Sequence, residues 1–481
     1  MNKKTVLNAT KWSSITEILA KLISPITSMI LARLLTPDAF GVIATITMIT
    51  SFFDMITEAG FSKFIIYFDE EKAKLEGYLD TAFWSNFSLS SLFLLLIIIF
   101  SKQISCLLGN PGIDRVLIIA SISLPITSFS SIQIALFKRN FQFKTLFKMR
   151  IIGVFIPFAV TIPLALLGFS YWSLVIGTIT VNLFNAFFST FISNWKPSFN
   201  FSFDLLKKML SFSIWSLFET ILTWSINNIG VIVLVGVLSS YYLGIYKTCM
   251  NLVSQILGLI YSMFIPVLYS VLSRLKDDKK EFSKMFLSFQ QIIALIVLPL
   301  GTGIFIFNET VTQILLGEKW LEGAFYIGLL GIAFSWISCI SNLKLEGLRA
   351  IGKPKYNLIS QMIVLIVLLF LLFINKDKSF NYICIITASA YIIYPLIDLF
   401  FIKSILHISL LKLFKNVFPI VLCSCIMGAF GFLMIRFKSG FINNIIEIII
   451  CIIIYIVLIL LNANMRNKVK ILFNYIRKKY E

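Results

Sequence analysis

The chain is a succession of fourteen apolar stretches, each near the roughly 20 residues that an α-helix needs to cross a bilayer's hydrocarbon core. They run over about 12–35, 39–61, 80–104, 113–137, 149–168, 172–194, 208–237, 241–270, 285–316, 321–346, 355–375, 380–402, 414–437 and 441–462. With 58% hydrophobic and 15% aromatic residues, too little polar side chain remains to cover a water-soluble globule of this size. Inside lipid every backbone amide must find its partner within the protein, which long helices achieve on their own. The expected fold class is therefore an all-α integral membrane protein of about 14 transmembrane helices. The first stretch starts near Trp12, exceeds signal-peptide length and has no small-residue cleavage site, so it is expected to remain as a helix.

Charge orients these spans. The net charge of +19 would suit nucleic acid, but its distribution suits a membrane better. With the amino terminus in the cytoplasm, the inner segments collect about 31 of the 42 basic residues. These include Lys3, Lys4 and Lys11, the run from Lys138 to Arg150, Arg274 to Lys284, and the tail from Arg466. The outer segments hold about 7. An even number of spans is needed to keep that alternation, so both termini are expected on the cytoplasmic side. Phe137–Arg150 and Arg466–Lys479 should meet anionic headgroups of the membrane lipids, and no nucleic-acid partner is expected.

A hairpin is written twice. Leu31-Ala32-Arg33-Leu34-Leu35-Thr36-Pro37-Asp38-Ala39-Phe40-Gly41 recurs, 203 positions on, as Leu234-Val235-Gly236-Val237-Leu238-Ser239-Ser240-Tyr241-Tyr242-Leu243-Gly244. Ser14-Ile15-Thr16-Glu17 has a counterpart in Ser216-Leu217-Phe218-Glu219. Phe137 through Lys144 corresponds to Leu348 through Lys355 at an offset of 211. Two related membrane halves are the usual construction of a transporter whose site lies between them.

Few ionisable groups remain inside spans, and each costs free energy unless it faces a cavity, a partner or the interface. Arg33, Glu58, Glu309, Lys344, Glu346 and Asp398 lie near span ends, where snorkelling to the interface is expected. Lys21, Asp54, Glu17, Glu219 and Lys247 are deeper, on the four spans of the repeated hairpin. Glu17 and Lys21 share a helical face, as do Asp54 and Glu58. Two roles are open: lining a cavity for an anionic or polar substrate, or pairing between helices, such as Lys21 with Asp54. Asn227, Asn228, Asn251 and Gln255 add amides that suit sugar hydroxyls or interhelical bonding. As cavity carboxylates, Glu17, Asp54 and Glu219 are candidates for coupling to a proton or sodium gradient, with Glu17 and Glu219 buried. Pro25, Pro125, Pro157, Pro163, Pro266 and Pro299 fall inside spans and should bend or break them.

Soluble-enzyme signatures are missing: no P-loop, HExxH or GxSxG occurs, and no external loop is long enough for a folded domain. The protein is expected not to be an enzyme, with no catalytic residue and no resident cofactor. Cys106, Cys249, Cys339, Cys384, Cys423, Cys425 and Cys451 lie in or beside apolar spans with no CxxC spacing, so neither a disulfide nor a metal site is expected. His407 sits in a loop.

The first hairpin, with Ala32-Arg33-x-Leu35-x-Pro37-x-x-Phe40-Gly41, resembles the oligosaccharide flippases of the multidrug/oligosaccharidyl-lipid/polysaccharide (MOP) exporter superfamily. Further resemblances follow in order: Gly60-Phe61-Ser62, Phe141-Gln142-Phe143, Pro266 with Ser273 through Asp278, Gly317-Glu318-Lys319-Trp320, and Leu348 through Pro354. The resemblance covers most of the chain and is weakest after about residue 400. It implies two pseudo-symmetric six-helix lobes, 1–200 and 201–405, with two peripheral helices and a basic tail in 406–481. It implies alternating-access translocation of an undecaprenyl-diphosphate-linked repeat unit across the bacterial inner membrane, for O-antigen, capsule or exopolysaccharide assembly. A polysaccharide polymerase and a chain-length regulator are the partners it suggests. Lys21 and Lys247 are the cations here that would meet the diphosphate. A lipid II flippase and a drug/cation antiporter of the same superfamily are the alternatives.

Overall fold

The computed structural model describes residues 3–58, 60–68, 72–437 and 440–461, with side chains except at 3–11, 13–15, 17–18, 72–74, 215, 266 and 437. Glu17's side chain and the tail Arg466–Lys479 thus lie outside the described residues. Every expected span is helical. In the first half these are α1 (Lys3–Leu34), α2 (Pro37–Glu58) with α3 (Phe61–Tyr67), α4 (Lys72–Leu107), and α5 (Asp114–Ser121) with α6 (Ser123–Arg139). Then come α7 (Phe143–Ala159) with α8 (Thr161–Leu166), α9 (Tyr171–Ile192), α10 (Phe203–Leu234) and α11 (Ser240–Arg274). The second half continues with α12 (Lys279–Ile306), α13 (Asn308–Leu315), a 3₁₀ turn (Glu318–Gly323), α14 (Ala324–Cys339) and α15 (Ser341–Ala350). It closes with α16 (Lys355–Asn375), α17 (Phe380–Ser404), α18 (Leu410–Phe437) and α19 (Phe441–Leu461). Thirteen segments among the described residues are long and apolar enough to cross a membrane, and the 32-residue α1 occupies the place of the remaining expected span.

Two of the helix breaks follow from proline. Pro125 and Pro163 lack the N–H that a helix interior requires, and a proline ring crowds the carbonyl four residues earlier. The chain breaks at Ile122 and Val160, three residues before each. Pro25, Pro157 and Pro299 are carried inside continuous helices. The break between α14 and α15 at Ile340 has neither proline nor glycine at it.

The chain forms two compact units, Met1–Lys247 and Thr248–Glu481. In the first, α6 packs on α9, α4 and α3, α7 on α1, and α10 on α2, α3 and α4. One core gathers Phe64, Tyr78, Phe83, Ile132 and Trp195; another gathers Ile46, Ile97, Leu117, Leu124 and Val175. Asp80, almost fully buried, ties down the stretch after α9 by accepting from the Trp195 Nε1–H at 3.2 Å and the Ser198 N–H at 3.1 Å.

Both repeats reappear as geometry. A methyl group on Gly41 would lie 1.8 Å from the Ser240 carbonyl oxygen, and one on Gly244 would lie 1.9 Å from the Pro37 carbonyl oxygen. Gly41/Gly244 and Pro37/Ser240 are each other's equivalents at the 203-residue offset, so α2 and α11 cross reciprocally at their amino-terminal ends. The second repeat is a pair of like helix ends. Phe141 has φ 54° and Gly352 φ 71°, both left-handed. The Gln142 N–H reaches the Phe137 carbonyl at 2.9 Å, and the Lys353 N–H reaches that of Leu348 at 2.9 Å. Each turn thus closes the same Schellman cap.

In the second unit α12 and α14 are the central pair, flanked by α17 and α18, with α16 on α17 and α19 on α18. In lipid, helices approach closely where side chains are small. Here Gly301 of α12 faces α14: an added methyl would meet Ser335 Oγ at 1.9 Å and the Gly331 carbonyl at 2.5 Å. Gly303, two residues on, faces open space. Gly301→Ala is therefore expected to cost about 1–3 kcal/mol through overpacking, while Gly303→Ala is neutral or stabilising. Thermal unfolding of the two purified variants checks this; equal melting temperatures would contradict the packing described.

Candidate functional site

The ionisable residues singled out from sequence fall into separate groups. Lys247, half-buried on α11, donates from Nζ to the Asn227 carbonyl at 2.7 Å and to Asn228 Oδ1 at 3.1 Å. Asn228 is itself held by its Nδ2–H donating to the Trp224 carbonyl at 2.9 Å. An ammonium has three donors, so one hydrogen of Lys247 is left over, and no carboxylate pairs with it among the described residues. Asn251 and Gln255 follow at four-residue steps on the same helix. Asn251 is exposed, and Gln255 buries its Oε1 with no hydrogen-bond partner among the described residues.

Asp54 on α2 accepts a hydrogen bond from the Thr127 hydroxyl of α6 at 2.6 Å. Trp224 of α10 joins the neighbouring turn of α2, donating from Nε1 to Ser51 Oγ at 3.0 Å and lying against Phe52. Glu219 was expected to be buried. It is instead 36% exposed in its side chain and lies 4.0 Å from Lys63 Nζ on α3, a spacing and exposure at which an ion pair contributes little. Lys21 is half-buried on α1.

The span-end residues expected to snorkel divide by burial. Arg33 and Glu309 are exposed. Lys344 and Asp398 are not at any interface: both side chains are fully buried, and Lys344 Nζ lies 2.5 Å from Asp398 Oδ1. Ser360 of α16 accepts from Lys344 at 3.1 Å and donates to the same carboxylate oxygen. The rings of Tyr394 and Phe401 lie 5.9 and 5.8 Å from the ammonium. α15 packs on α14 and α17, which closes the route to the headgroups, and the carboxylate replaces water as the partner. Glu346 is likewise buried and accepts from Arg349 at 3.1 Å. The usable sequence signal was opposite charge: a lysine and an aspartate in neighbouring apolar spans can neutralise each other.

The first-hairpin motif lies inside the segment that comparison with known families matches. Residues 30–324 match the family described as polysaccharide biosynthesis protein. The chain belongs to this family. Among similar members is the succinoglycan biosynthesis transport protein ExoT of Rhizobium meliloti (strain 1021), 23% identical over 333 residues, covering 69% of this chain and 67% of ExoT. Another is the lipopolysaccharide biosynthesis protein WzxC of Escherichia coli (strain K12), 22% identical over 360 residues, 74% of this chain and 69% of WzxC. The fold of this polysaccharide biosynthesis protein is that of the MOP transporters. The lipid II flippase MurJ in an inward closed conformation superposes with TM-score 0.74 at 18% identity, covering 93% of this chain and 98% of MurJ. An inward-facing multidrug MATE transporter of the MOP superfamily gives TM-score 0.62 at 12% identity, covering 82% and 98%.

The buried pair carries a test. Removing one partner leaves an uncompensated charge in a dry interior, whereas replacing both by apolar groups of similar volume does not. Lys344→Met or Asp398→Leu alone should destabilise by about 3–5 kcal/mol, and the double variant should recover most of that loss. Thermal melts of the four proteins complete the cycle. Additive losses would show that the two side chains are not coupled.

Proposed function

We propose that this protein is the flippase that carries undecaprenyl-diphosphate-linked oligosaccharide repeat units across the bacterial inner membrane for surface-polysaccharide assembly. Membership of the polysaccharide biosynthesis family and the MOP transporter fold support the class. The observation that carries the substrate assignment is Lys247. It is a cation held in place by an amide and a carbonyl rather than by an acid, so its charge remains available to an anionic group. A diphosphate is the anionic part of such a substrate, and charge-assisted bonds to it are the strong kind. The amides of Asn251 and Gln255 on the same helix suit sugar hydroxyls, and Lys21 is the second cation in this reading.

Transport on this reading is alternating access between two lobes and involves no bond-making step. Glu17, Asp54 and Glu219 are the candidate carboxylates for coupling to a proton or sodium gradient. The basic asymmetry of the loops supports a cytoplasmic location for both termini, and on the opposite face the product would pass to a polymerase and a chain-length regulator. A lipid II flippase and a drug antiporter share the fold, and the family match over residues 30–324 favours the polysaccharide branch.

Lys247→Ala and Lys21→Ala should each lower surface-polysaccharide export by about 10–100-fold, the size of one charge-assisted hydrogen bond, with normal amounts of protein in the membrane. Lys247→Arg should retain export. Quantifying surface polysaccharide in a depleted strain complemented with each variant tests this. Normal export by Lys247→Ala would remove the substrate assignment, and lysis without loss of polysaccharide on depletion would favour the lipid II reading. A cysteine at Asp277 should be unreachable by an impermeant thiol reagent in intact cells, and labelling there would reverse the topology.

A further inference from the structure

Within the first unit, α1, α6, α7 and α9 enclose a groove of about 620 Å³, a ligand-sized volume. Its lining is graded. Its two cations are Lys138, in the last turn of α6, and Arg150, on α7 after the lining residues Phe143, Leu146 and Met149. Both are exposed, and neither has a carboxylate partner among the described residues. Beyond them the wall is Gly153, Val154 and Pro157 of α7 with Val181 of α9. On the α1 side three of the four lining hydroxyls donate to their own helix: Thr16 to the Trp12 carbonyl at 2.7 Å, Thr27 to Ile23 at 3.2 Å and Ser28 to Ser24 at 3.0 Å. Ser24 apart, that wall offers a ligand no free hydroxyl hydrogen. One amide interrupts it, Asn185 of α9, which faces the groove opposite Gly153.

The dimensions match one leaflet. From Thr16 to Ser28 the groove follows α1 for about 18 Å, close to the roughly 15 Å half-thickness of a bilayer's hydrocarbon core. Gly153 is about one helical turn, or roughly 5 Å, beyond Arg150, so Asn185 sits one short step inward from the cations. From Arg150 onward along α7, cation, then amide, then apolar wall is the polarity sequence of a phospholipid: phosphate, glycerol ester, acyl chain. The stretch from Phe137 to Arg150 carries five basic residues and no acid, which selects for an anionic head.

We propose that this groove is a binding site for one anionic phospholipid of the cytoplasmic leaflet, with its phosphate on Lys138 and Arg150 and an acyl chain along Gly153, Pro157 and Val181. The occupant is a bilayer lipid rather than the transported carrier, because an undecaprenyl chain is far longer than the groove. The site is distinct from Lys247 and does not depend on the transport reading.

Gly153 supplies a clean probe. A Cβ there would approach nothing nearer than Asn185 Oδ1 at 3.9 Å, so a larger side chain enters the groove and not the core. Native mass spectrometry of the purified full chain, titrated with phosphatidylglycerol or phosphatidylcholine, reads retained lipid directly. The wild type should retain one phosphatidylglycerol with a preference of about 10-fold over phosphatidylcholine. Lys138→Gln with Arg150→Gln should abolish the preference. Gly153→Leu should lower retention of both lipids while leaving the melting temperature unchanged. Lys144→Gln with Lys148→Gln, equally basic but outside the groove, should leave the preference intact. Three results would overturn the proposal: equal retention of the two lipids by the wild type, loss of preference in the Lys144/Lys148 variant as large as in the Lys138/Arg150 variant, or displacement of phosphatidylglycerol by equimolar undecaprenyl phosphate.

Discussion

Two glycines and two carbonyls hold the amino-terminal ends of α2 and α11 in direct backbone contact. Without a Cβ on Gly41 or Gly244, the Ser240 and Pro37 carbonyls can approach to distances that any side chain would forbid. In lipid, where the hydrophobic effect gives helices little reason to associate, such close van der Waals contact is a principal source of attraction. Nearby, the Asn110 amide donates to the Ser240 hydroxyl, and Gly109 abuts Gly236 in the turn before α11. The bridge between Val235 and Leu238 keeps that turn short.

From this crossing the placement of the proposed substrate cation follows. Lys247 is three residues beyond Gly244, less than one turn along α11. Gly230 of α10 leaves room for Tyr246, whose hydroxyl would lie 2.1 Å from any added methyl. α10 and α11 therefore run close enough for Nζ to reach the Asn227 carbonyl and the Asn228 amide. A cation held by neutral oxygens keeps its charge, while Lys344, held by Asp398, is neutralised. The two lysines look alike in the sequence, and their partners make one a candidate for binding and the other a fastener of α15, α16 and α17.

The spans were legible because the bilayer imposes their length and apolarity, so residue counts alone place nearly every helix. The repeats were legible because their glycines and turn residues are needed by geometry: Gly41 and Gly244 at the crossing, Phe141 and Gly352 at matching caps. Two breaks could be read from Pro125 and Pro163. The break at Ile340 could not, since no residue there forbids a helix, and without it the inward direction of Lys344 is invisible. Linear position near a span end does not distinguish a side chain reaching for water from one reaching for a buried acid. Asp80 escaped notice for the same reason: at the edge of a span it looks solvated, yet it is the hydrogen-bond acceptor that anchors the stretch after α9.

If transport is alternating access, the crossing of α2 and α11, together with the turn between α4 and α5 that bonds to Ser240 at it, must loosen in each cycle. Asn110→Cys with Ser240→Cys, in a background lacking Cys106 and Cys425, places two thiols where side chains already touch. Proteoliposomes holding this variant and a fluorescent undecaprenyl-diphosphate oligosaccharide report translocation as accessibility to an external glycosidase. The account predicts transport in the reduced protein, loss of transport after oxidation, and recovery on reduction. Undiminished transport by the fully cross-linked protein would contradict it.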